Sequence, residues 1–515
     1  MVVKIKIKAE VLISNFYKIK YRLLFIVVSI FISSELFAQE YQFSEIKEIF
    51  LKERPQTGDL AVREDCFGSI DDLIMGSYPP LHPDTKSFYT FMIRKAILEI
   101  KNEVVTEGAT IWLLYNHGFV VKTPSVTFGC DLRDFFSTEI FLELANLIDA
   151  YFISHGHPDH YTWKLVDSMS TLDKPVVGPA QFALAPIKMK AGDSMVIAGL
   201  SVTAHDGLHG GAYVRQFEIV TPDGFKFLHT GDNESSKTLP SITDIDVMFL
   251  NNWINELGSV SSIKGVRIAV NKMKPKVTLP GHMMELGHLS TPSPFPYRDP
   301  IAADDGTLAS EYYILAWGER YHYGNASNDT IKPNIVENLT YTVSTDTIGL
   351  LWNTPLPADD GDTGSFYRVI INDTVDFFVS EQQFDFPADT LGKYNIKVFS
   401  YDDCGNQSET YAEIEEISGI GNDIISTSQN PILFQNDPNP FNAVTTFTFN
   451  LPSKCFVTLK IFDAVGRELE TVISGELERG RHTTLWNAKG LSSGIYYYRI
   501  QAGNFTGTKR LVILR

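Results

Sequence analysis

Cysteine is scarce: four occur in 515 residues, at positions 66, 130, 404 and 455, and no two form a CxxC pair. That excludes a disulfide-dense scaffold and a cysteine-rich zinc module. Basic residues are in deficit, 44 Lys and Arg against 62 Asp and Glu, for a net charge of −18. Nucleic acids and anionic membranes are bound through clustered cations, so the deficit argues against both as general partners. The apolar run Leu23–Ile32 is only ten residues long, too short for a helix that crosses a bilayer, which needs about 20. What is present points to a folded, multidomain chain. Hydrophobic residues make up 44%, enough for real cores, and the length suggests about three domains. Aromatic residues, 12% of the chain, suit a pleated surface; the expected place for most of them is a pair of β-rich modules near the C-terminus.

The first 38 residues read as an export signal. Lys18, Lys20 and Arg22 precede Leu23–Ile32, and Ala38 stands before Gln39-Glu40; a basic stretch, a short apolar stretch and a small residue are the parts of a secretory signal peptide. Its removal takes six Lys/Arg and two Asp/Glu with it and shifts the charge from −18 to −22. Export permits disulfides, and Cys66 with Cys130 form a possible pair.

Three textures follow. Residues 39–328 alternate helix and strand signals. Phe88–Val104 has helical spacing, Ile111–Leu114 and Phe119–Val121 flank a turn at Asn116-His117-Gly118, Leu142–Ala150 reads as helix, and Tyr151–Ser154 as a buried strand. Such alternation favours an α/β layer architecture. In residues 329–418 the helical signals stop, and short strands (Ile348–Trp352, Tyr367–Ile371, Phe384–Phe386, Tyr394–Tyr401) recur between turns. A polar linker, 419–430, leads to residues 431–515, with strands at Thr445–Phe449, Val457–Phe462, Thr483–Trp486, Ile495–Ile500 and Thr508–Leu514.

The chemistry concentrates in Ile153-Ser154-His155-Gly156-His157-Pro158-Asp159-His160, where four potential ligands fall within six positions after a strand. Neutral imidazoles and carboxylates are the ligand types of Zn²⁺ sites that keep an open position. In a tight loop His155 and His157 can serve one ion, and Asp159 and His160 a second.

This HxHxDH segment resembles the main motif of the metallo-β-lactamase superfamily, and the wording around it resembles the lactamase_B_2-like branch. The resemblance implies an α/β fold, an αββα sandwich, here followed by two all-β immunoglobulin-like sandwiches. Phe227-Leu228-His229-Thr230-Gly231-Asp232 is similar to the family's HTGD segment, with Asp232 as a bridge between two ions. Lys274 through His282 is similar to its last motif, with His282 on the second ion. A further histidine completes the first site; His205 and His209 both qualify, and spacing to Asp232 favours His209. His117, Asp131 and His229 are implied as supporting residues behind the ligands, with Asp131 orienting the metal loop. His288 and His322 match no motif and read as surface or rim. The stretches 62–88 and 286–310, with Tyr78–Pro83 and Pro292–Pro300, are the expected loops and rim of a pocket.

Taken together, the resemblance implies a secreted, dinuclear zinc-dependent hydrolase of ester, lactone or phosphodiester bonds, with iron or manganese as alternative metals. Water shared by the ions is the nucleophile and Asp159 the catalytic carboxylate. None of the four Cys stands at a ligand position, which disfavours β-lactam hydrolysis. The substrate class is a small or lipid-like molecule. The alternative reading is an inactive or weakly active extracellular or surface binding protein. Trp352, Phe366-Tyr367 and the run from Gly392 to Ser408 resemble a fibronectin type III domain. Leu433–Asn442 ("LFQNDPNPFN"), Val457–Ile473, Gly480–Gly503 and Lys509–Arg515 closely resemble the C-terminal sorting domain of type IX secretion. That implies passage through the periplasm, the type IX machinery as a partner, and a secreted or cell-surface destination with no transmembrane segment after signal removal.

Overall fold

The structure, a computed structural model, describes residues 41–513 apart from 77–81, 135, 137, 211, 256–261, 287–294, 325–328, 330, 345–346, 389–391, 419–431, 435, 437–438, 440, 452, 479 and 504. The signal peptide, the linker at 419–430, His288 and parts of both expected rim segments lie outside the described residues. The chain divides after residue 328 into two compact units.

The first unit opens with helices α1 (Phe43–Lys52), α2 (Leu60–Gly76) and α3 (Thr85–Asn102). The segment expected as a pocket loop, 62–88, is therefore mostly helix. Its period is blurred because polar and apolar residues share the buried face of α2: Arg63, Ser69 and Asp71 are buried beside Cys66, Phe67, Ile70 and Ile74. Arg63 is satisfied there by both carboxylate oxygens of Glu319, each at 2.7 Å.

Two seven-stranded sheets follow. In the first, β1 (Ala109–Tyr115), β2 (Gly118–Lys122) and β3 (Thr127–Cys130) form an antiparallel meander, which β4 (Ala150–Phe152), β5 (Val176–Pro179) and β6 (Ile187–Met189) extend in parallel. In the second, β7 (Ser194–Ile197), β8 (Leu200–Asp206), β9 (Arg215–Val220) and β10 (Lys226–His229) are antiparallel, and β11 (Val247–Asn251), β12 (Val277–Gly281) and β13 (Glu311–Tyr312) continue in parallel. Strand β14 (Glu319–Tyr323) returns to pair with β1. The expected helix over Leu142–Ala150 is two short helices, α4 (Thr138–Leu142) and α5 (Leu144–Leu147). Helix stops there because the backbone N–H of Asp149 donates to the Thr127 carbonyl (2.6 Å) and its carboxylate accepts from Thr127 N (2.9 Å), drawing the chain into β4 alongside β3. Helices α6 (Trp163–Thr171), α7 (Ser262–Met273) and α8 (Arg298–Ala303) complete the unit.

The sheets pack face to face through aromatic rings. Phe119 of β2 stacks on Phe249 of β11 at 4.3 Å, and Phe128 of β3 meets Phe227 of β10 edge-on at 5.6 Å. Phe152 of β4 lies 5.6 Å from Phe217 of β9. Alternate residues point outward, as the two-residue period of a strand requires: Leu228, Met248 and Leu250 pack against Val266, Ala269 and Val270 of α7. Helices α3 and α6 lie against β1 and β5. The layers are thus helix, sheet, sheet, helix. Aromatic packing runs through this unit as well, so the aromatic residues are not gathered largely in the C-terminal modules.

The proposed Cys66–Cys130 pair does not form. All four thiols are free, and Cys66 on α2 and Cys130 on β3 are each fully buried among apolar groups. Burial pushes the Cys66 thiol up to about 12, leaving it protonated and inert.

The second unit holds two antiparallel sandwiches, each of a three- and a four-stranded sheet. In one, β15 (Glu337–Val343), β16 (Thr347–Asn353) and β19 (Gln383–Pro387) face β18 (Val375–Val379), β17 (Phe366–Ile371), β20 (Lys393–Tyr401) and β21 (Ala412–Ser418) around Trp352, Tyr367, Val369 and Val398. In the other, β22 (Ile432–Leu433), β23 (Val444–Leu451) and β26 (Gly480–Asn487) face β25 (Glu468–Leu477), β24 (Cys455–Phe462), β27 (Gly494–Ala502) and β28 (Phe505–Ile513) around Phe447, Leu459, Trp486 and Tyr498. Among the described residues, no helix is long and apolar enough to cross a membrane.

Candidate metal centre

The carboxyl ends of β3, β4, β10 and β12 meet at one edge of the paired sheets, where each sheet has its parallel strands. In α/β proteins such strand ends are the customary place for a site. Asp131 follows β3, the run His155–His160 follows β4, Asp232 follows β10 and His282 follows β12. His209 comes from the loop between β8 and β9. Close approach is what the local glycines permit. A Cβ on Gly231, whose φ is +51°, would lie 2.5 Å from the Ser154 side chain, and one on Gly281 would lie 2.4 Å from the His117 ring. Asp131 (φ +47°) and His282 (φ +68°) are themselves left-handed, a costly conformation for these residues that clusters at functional sites.

The sequence-selected residues gather into two groups. One ligand atom from each of His155, His157, His209 and Asp232 lies within 4.8 Å of the others, and the same holds for Asp159, His160, Asp232 and His282. Asp232 belongs to both. Its Oδ2 is 3.7 Å from His155 Nε2 and 3.9 Å from His209 Nε2, and on the other side 3.2 Å from His160 Nε2 and 3.3 Å from His282 Nε2. His157 Nδ1 faces His209 Nε2 at 3.2 Å. His205, the other histidine with suitable spacing, turns instead to Glu218 at 2.9 Å.

Several atoms of these ligand residues are buried without hydrogen bonds, among them His155 Nε2, His160 Nε2, His282 Nε2, Asp159 Oδ1 and Asp232 Oδ1. Buried polar atoms left in this state call for an ion or a water. The charge balance points the same way. Burial opposes ionisation of Asp232, yet His160 and His282 hold its carboxyl well below the usual range. Burial likewise opposes a charged His282, yet the neighbouring carboxylates of Asp232 and Asp159 raise it to about 10. The pocket demands positive charge, and this donor set of imidazole nitrogens and carboxylate oxygens fits divalent metal ions.

The outward-facing atoms are held by a buried network centred on Asp131. Its Oδ1 accepts from Ser154 N (2.7 Å) and its Oδ2 from Ser154 Oγ (2.6 Å) and His160 Nδ1 (2.8 Å). Ser154 Oγ also lies 3.0 Å from His155 Nδ1, so a hydroxyl already donating to Asp131 accepts from that ring. Asn116 Nδ2 reaches the centre itself, donating at 3.1 Å to Asp159 Oδ2, the oxygen that faces His160 Nε2 at 3.0 Å. His229 is close to Asp131, but Gly231 N donates to its Nδ1 and its Nε2 reaches the His117 carbonyl. Both of its nitrogens are thus committed to the backbone. His117 lies fully buried, stacked on His229 at 4.4 Å. The network fixes which nitrogen His155 and His160 turn inward, as outer partners do in metal sites.

Sequence reasoning did not single out Asn116 or Ser154 for these supporting contacts, nor Glu234, whose Oε2 faces His209 Nδ1 at 3.7 Å, nor Trp253. Trp253 stands 5.1 Å from the His209 ring, meets the His282 ring edge-on at 5.7 Å and stacks on Phe295 at 5.8 Å. Only Phe295, within the expected rim 292–300, came from a flagged segment. His322, expected at the surface or rim, is largely buried on β14 beside Thr110 Oγ1 at 3.1 Å.

Residues 438–514 match the family model described as the secretion system C-terminal sorting domain; this domain marks the chain for secretion and placement at the cell surface. No curated protein matches the chain. Among solved structures it is similar to Igni18, a metallo hydrolase from the archaeon Ignicoccus hospitalis KIN4/I, at 16% identity over 42% of this chain and 98% of that one, with a TM-score of 0.34. It is similar to CmlA, a diiron β-hydroxylase from Streptomyces venezuelae, at 14% identity over 42% of this chain and 54% of that one (TM-score 0.32). It is also similar to BJP-1, a subclass B3 metallo-β-lactamase of Bradyrhizobium japonicum, at 16% identity over 38% and 89% (TM-score 0.22). The four-layer αββα order implied by the metallo-β-lactamase resemblance is the order of layers in the first unit.

Proposed function

We propose that residues 39–328 are a dinuclear zinc-dependent hydrolase of ester, lactone or phosphodiester bonds, exported by a signal peptide in residues 1–38 and sorted by residues 431–515. The observation that carries this reading is the single oxygen Asp232 Oδ2, set between His155 and His209 on one side and His160 and His282 on the other. In this reading His155, His157, His209 and Asp232 hold one ion, and Asp159, His160, Asp232 and His282 hold the other. Two divalent cations held there would supply Lewis acidity, which polarises a carbonyl or phosphoryl oxygen and lowers the pKa of water toward neutrality.

The chain's own residues supply the rest. Asp159 is kept ionised: burial opposes it, but His160 and His282 hold its carboxyl far below the ordinary range. Asn116 fixes its Oδ2, which leaves Oδ1 as the free acceptor to orient water. Trp253 and Phe295 form an aromatic wall beside both ligand groups, suited to excluding bulk water and to packing an apolar part of a small or lipid-like substrate. The three-plus-four strand arrangement of residues 329–418 supports the fibronectin type III reading of that module.

The test is turnover with metal content. Full-chain protein is expected to carry about two zinc ions and to hydrolyse a member of a lactone, phosphodiester and ester panel. Changing Asp159 and His160 together to Ala should lower that turnover at least about 100-fold with circular dichroism unchanged. Full turnover in the folded double variant overturns the mechanism.

A further inference from the structure

The two ligand groups are unequally protected. Asp159, His160, Asp232 and His282 are all buried, with relative exposures of 6% or less. In the other group His157 and His209 are only half-buried, the His209 side chain being 16% exposed. Their supports differ too. In the buried group His160 is held by Asp131, which is fully buried; in the half-open group only His155 has such a support, the buried Ser154 hydroxyl. His209 Nδ1 is a buried atom with no hydrogen bond, and it faces Glu234 Oε2 at 3.7 Å. Glu234 is itself fixed at both backbone atoms. Its N–H donates to the Leu208 carbonyl at 2.8 Å, and its carbonyl accepts from Asn255 N at 2.9 Å. Its Oε1 accepts from Gly210 N at 3.2 Å, so one residue, by its backbone N–H at Leu208 and its side chain at Gly210, grips the loop on both sides of His209.

We propose that Glu234 is the positioning residue for His209, and that the half-open group holds an exchangeable cation while the buried group retains its own. This rests on the dinuclear reading above. A carboxylate on the outer nitrogen of a ligating imidazole fixes the ring and raises its basicity, and losing such a partner weakens metal binding by about 10–100-fold. Here that partner is 30% exposed on its side chain, whereas Asp131, the partner of His160 in the other group, is fully buried. Water and competing ligands therefore reach the support of His209 and not that of His160. Metal supply outside the cell would then set activity through the exchangeable position.

The test is timed release of zinc from the loaded full chain into excess EDTA, with ions per chain counted by mass spectrometry. Two phases of one ion each are expected. E234Q should speed the first by about 10–100-fold and leave the second unchanged, and E234D, which keeps the carboxylate, should restore part of the slow release. Loss of both ions in one phase overturns the inference and leaves the dinuclear reading standing. Two phases with E234Q and E234D both indistinguishable from the parent chain overturn the role of Glu234. A loaded chain with well under two ions sinks the dinuclear reading and this inference with it.

Discussion

Each sheet of the first unit runs through an antiparallel meander and then three parallel steps, and each delivers polar residues from the carboxyl ends of its strands. The first sheet delivers them as one cassette. His155, His157, Asp159 and His160 leave a single strand end, and Asp131, on the neighbouring strand, fastens that loop by its backbone and two side chains. The second sheet delivers one residue per loop: His209, Asp232 and His282 come from three connections, each secured separately. Glu234 faces His209, Gly231, next to Asp232, packs against Ser154, and His282 N donates to the Asn116 carbonyl at 2.7 Å. A cassette shares one anchor and fails as a unit, while dispersed ligands fail one at a time.

The largest effect should come from the shared anchor. D131N keeps the shape but removes the charge that holds Ser154 and His160. It should weaken binding of metal by about 10–100-fold at both positions together, measured by competition with a chromophoric chelator. Loss confined to one ion would break the contrast between the sheets.

A second test uses pH. Asp71 on α2 ties down the loop that leaves β12, accepting from Tyr297 N at 2.7 Å and Arg298 N at 2.9 Å. Burial outweighs those bonds and pushes its carboxyl up to about 7. The unfolded chain releases this proton near pH 4. The native chain binds the extra proton between these values, so the contribution of Asp71 to stability falls as pH rises from about 4 to about 7 and is flat above. Asp131 has the opposite sign. Burial opposes its charge, but His160 and His229 hold it down to about 2, and its contribution is complete above about pH 4 and lost as pH falls toward 2. Denaturant unfolding of metal-free protein across pH 4–8 should show the Asp71 slope, and D71N should remove it. An equal slope in D71N sinks the assignment.

The smallest effect is expected at His205. H205A should leave two ions per chain and cost less than about 1 kcal/mol, the usual worth of a half-exposed pair. Loss of an ion would reinstate His205 as a ligand.

Much of the centre was legible in the sequence because the first sheet writes its ligands within six residues. The second sheet's ligands are separated by tens of residues and were reached only through resemblance. Asn116, Ser154, Glu234 and Trp253 stand in no local pattern, since each acts across a distance that only folding closes. Helix α2 was missed for a related reason: Arg63 and Asp71 sit on its buried face with partners far along the chain, which spoils the apolar stripe a helix normally shows.

By itself the sequence determined the donor types, the dense histidine loop after a buried strand, the turn at Asn116-His117-Gly118 and the strand-rich texture of the last 187 residues. Tertiary structure decided the geometry between His205 and His209. On β8, Leu200, Val202 and Ala204 point into the core, so the two-residue period sends Ser201, Thr203 and His205 to the other face, where Glu218 waits. His209 lies beyond the strand, free of that alternation, and the loop can turn its Nε2 toward Asp232. Which histidine approaches the centre is therefore a matter of strand register, and register is fixed by burying one face of β8.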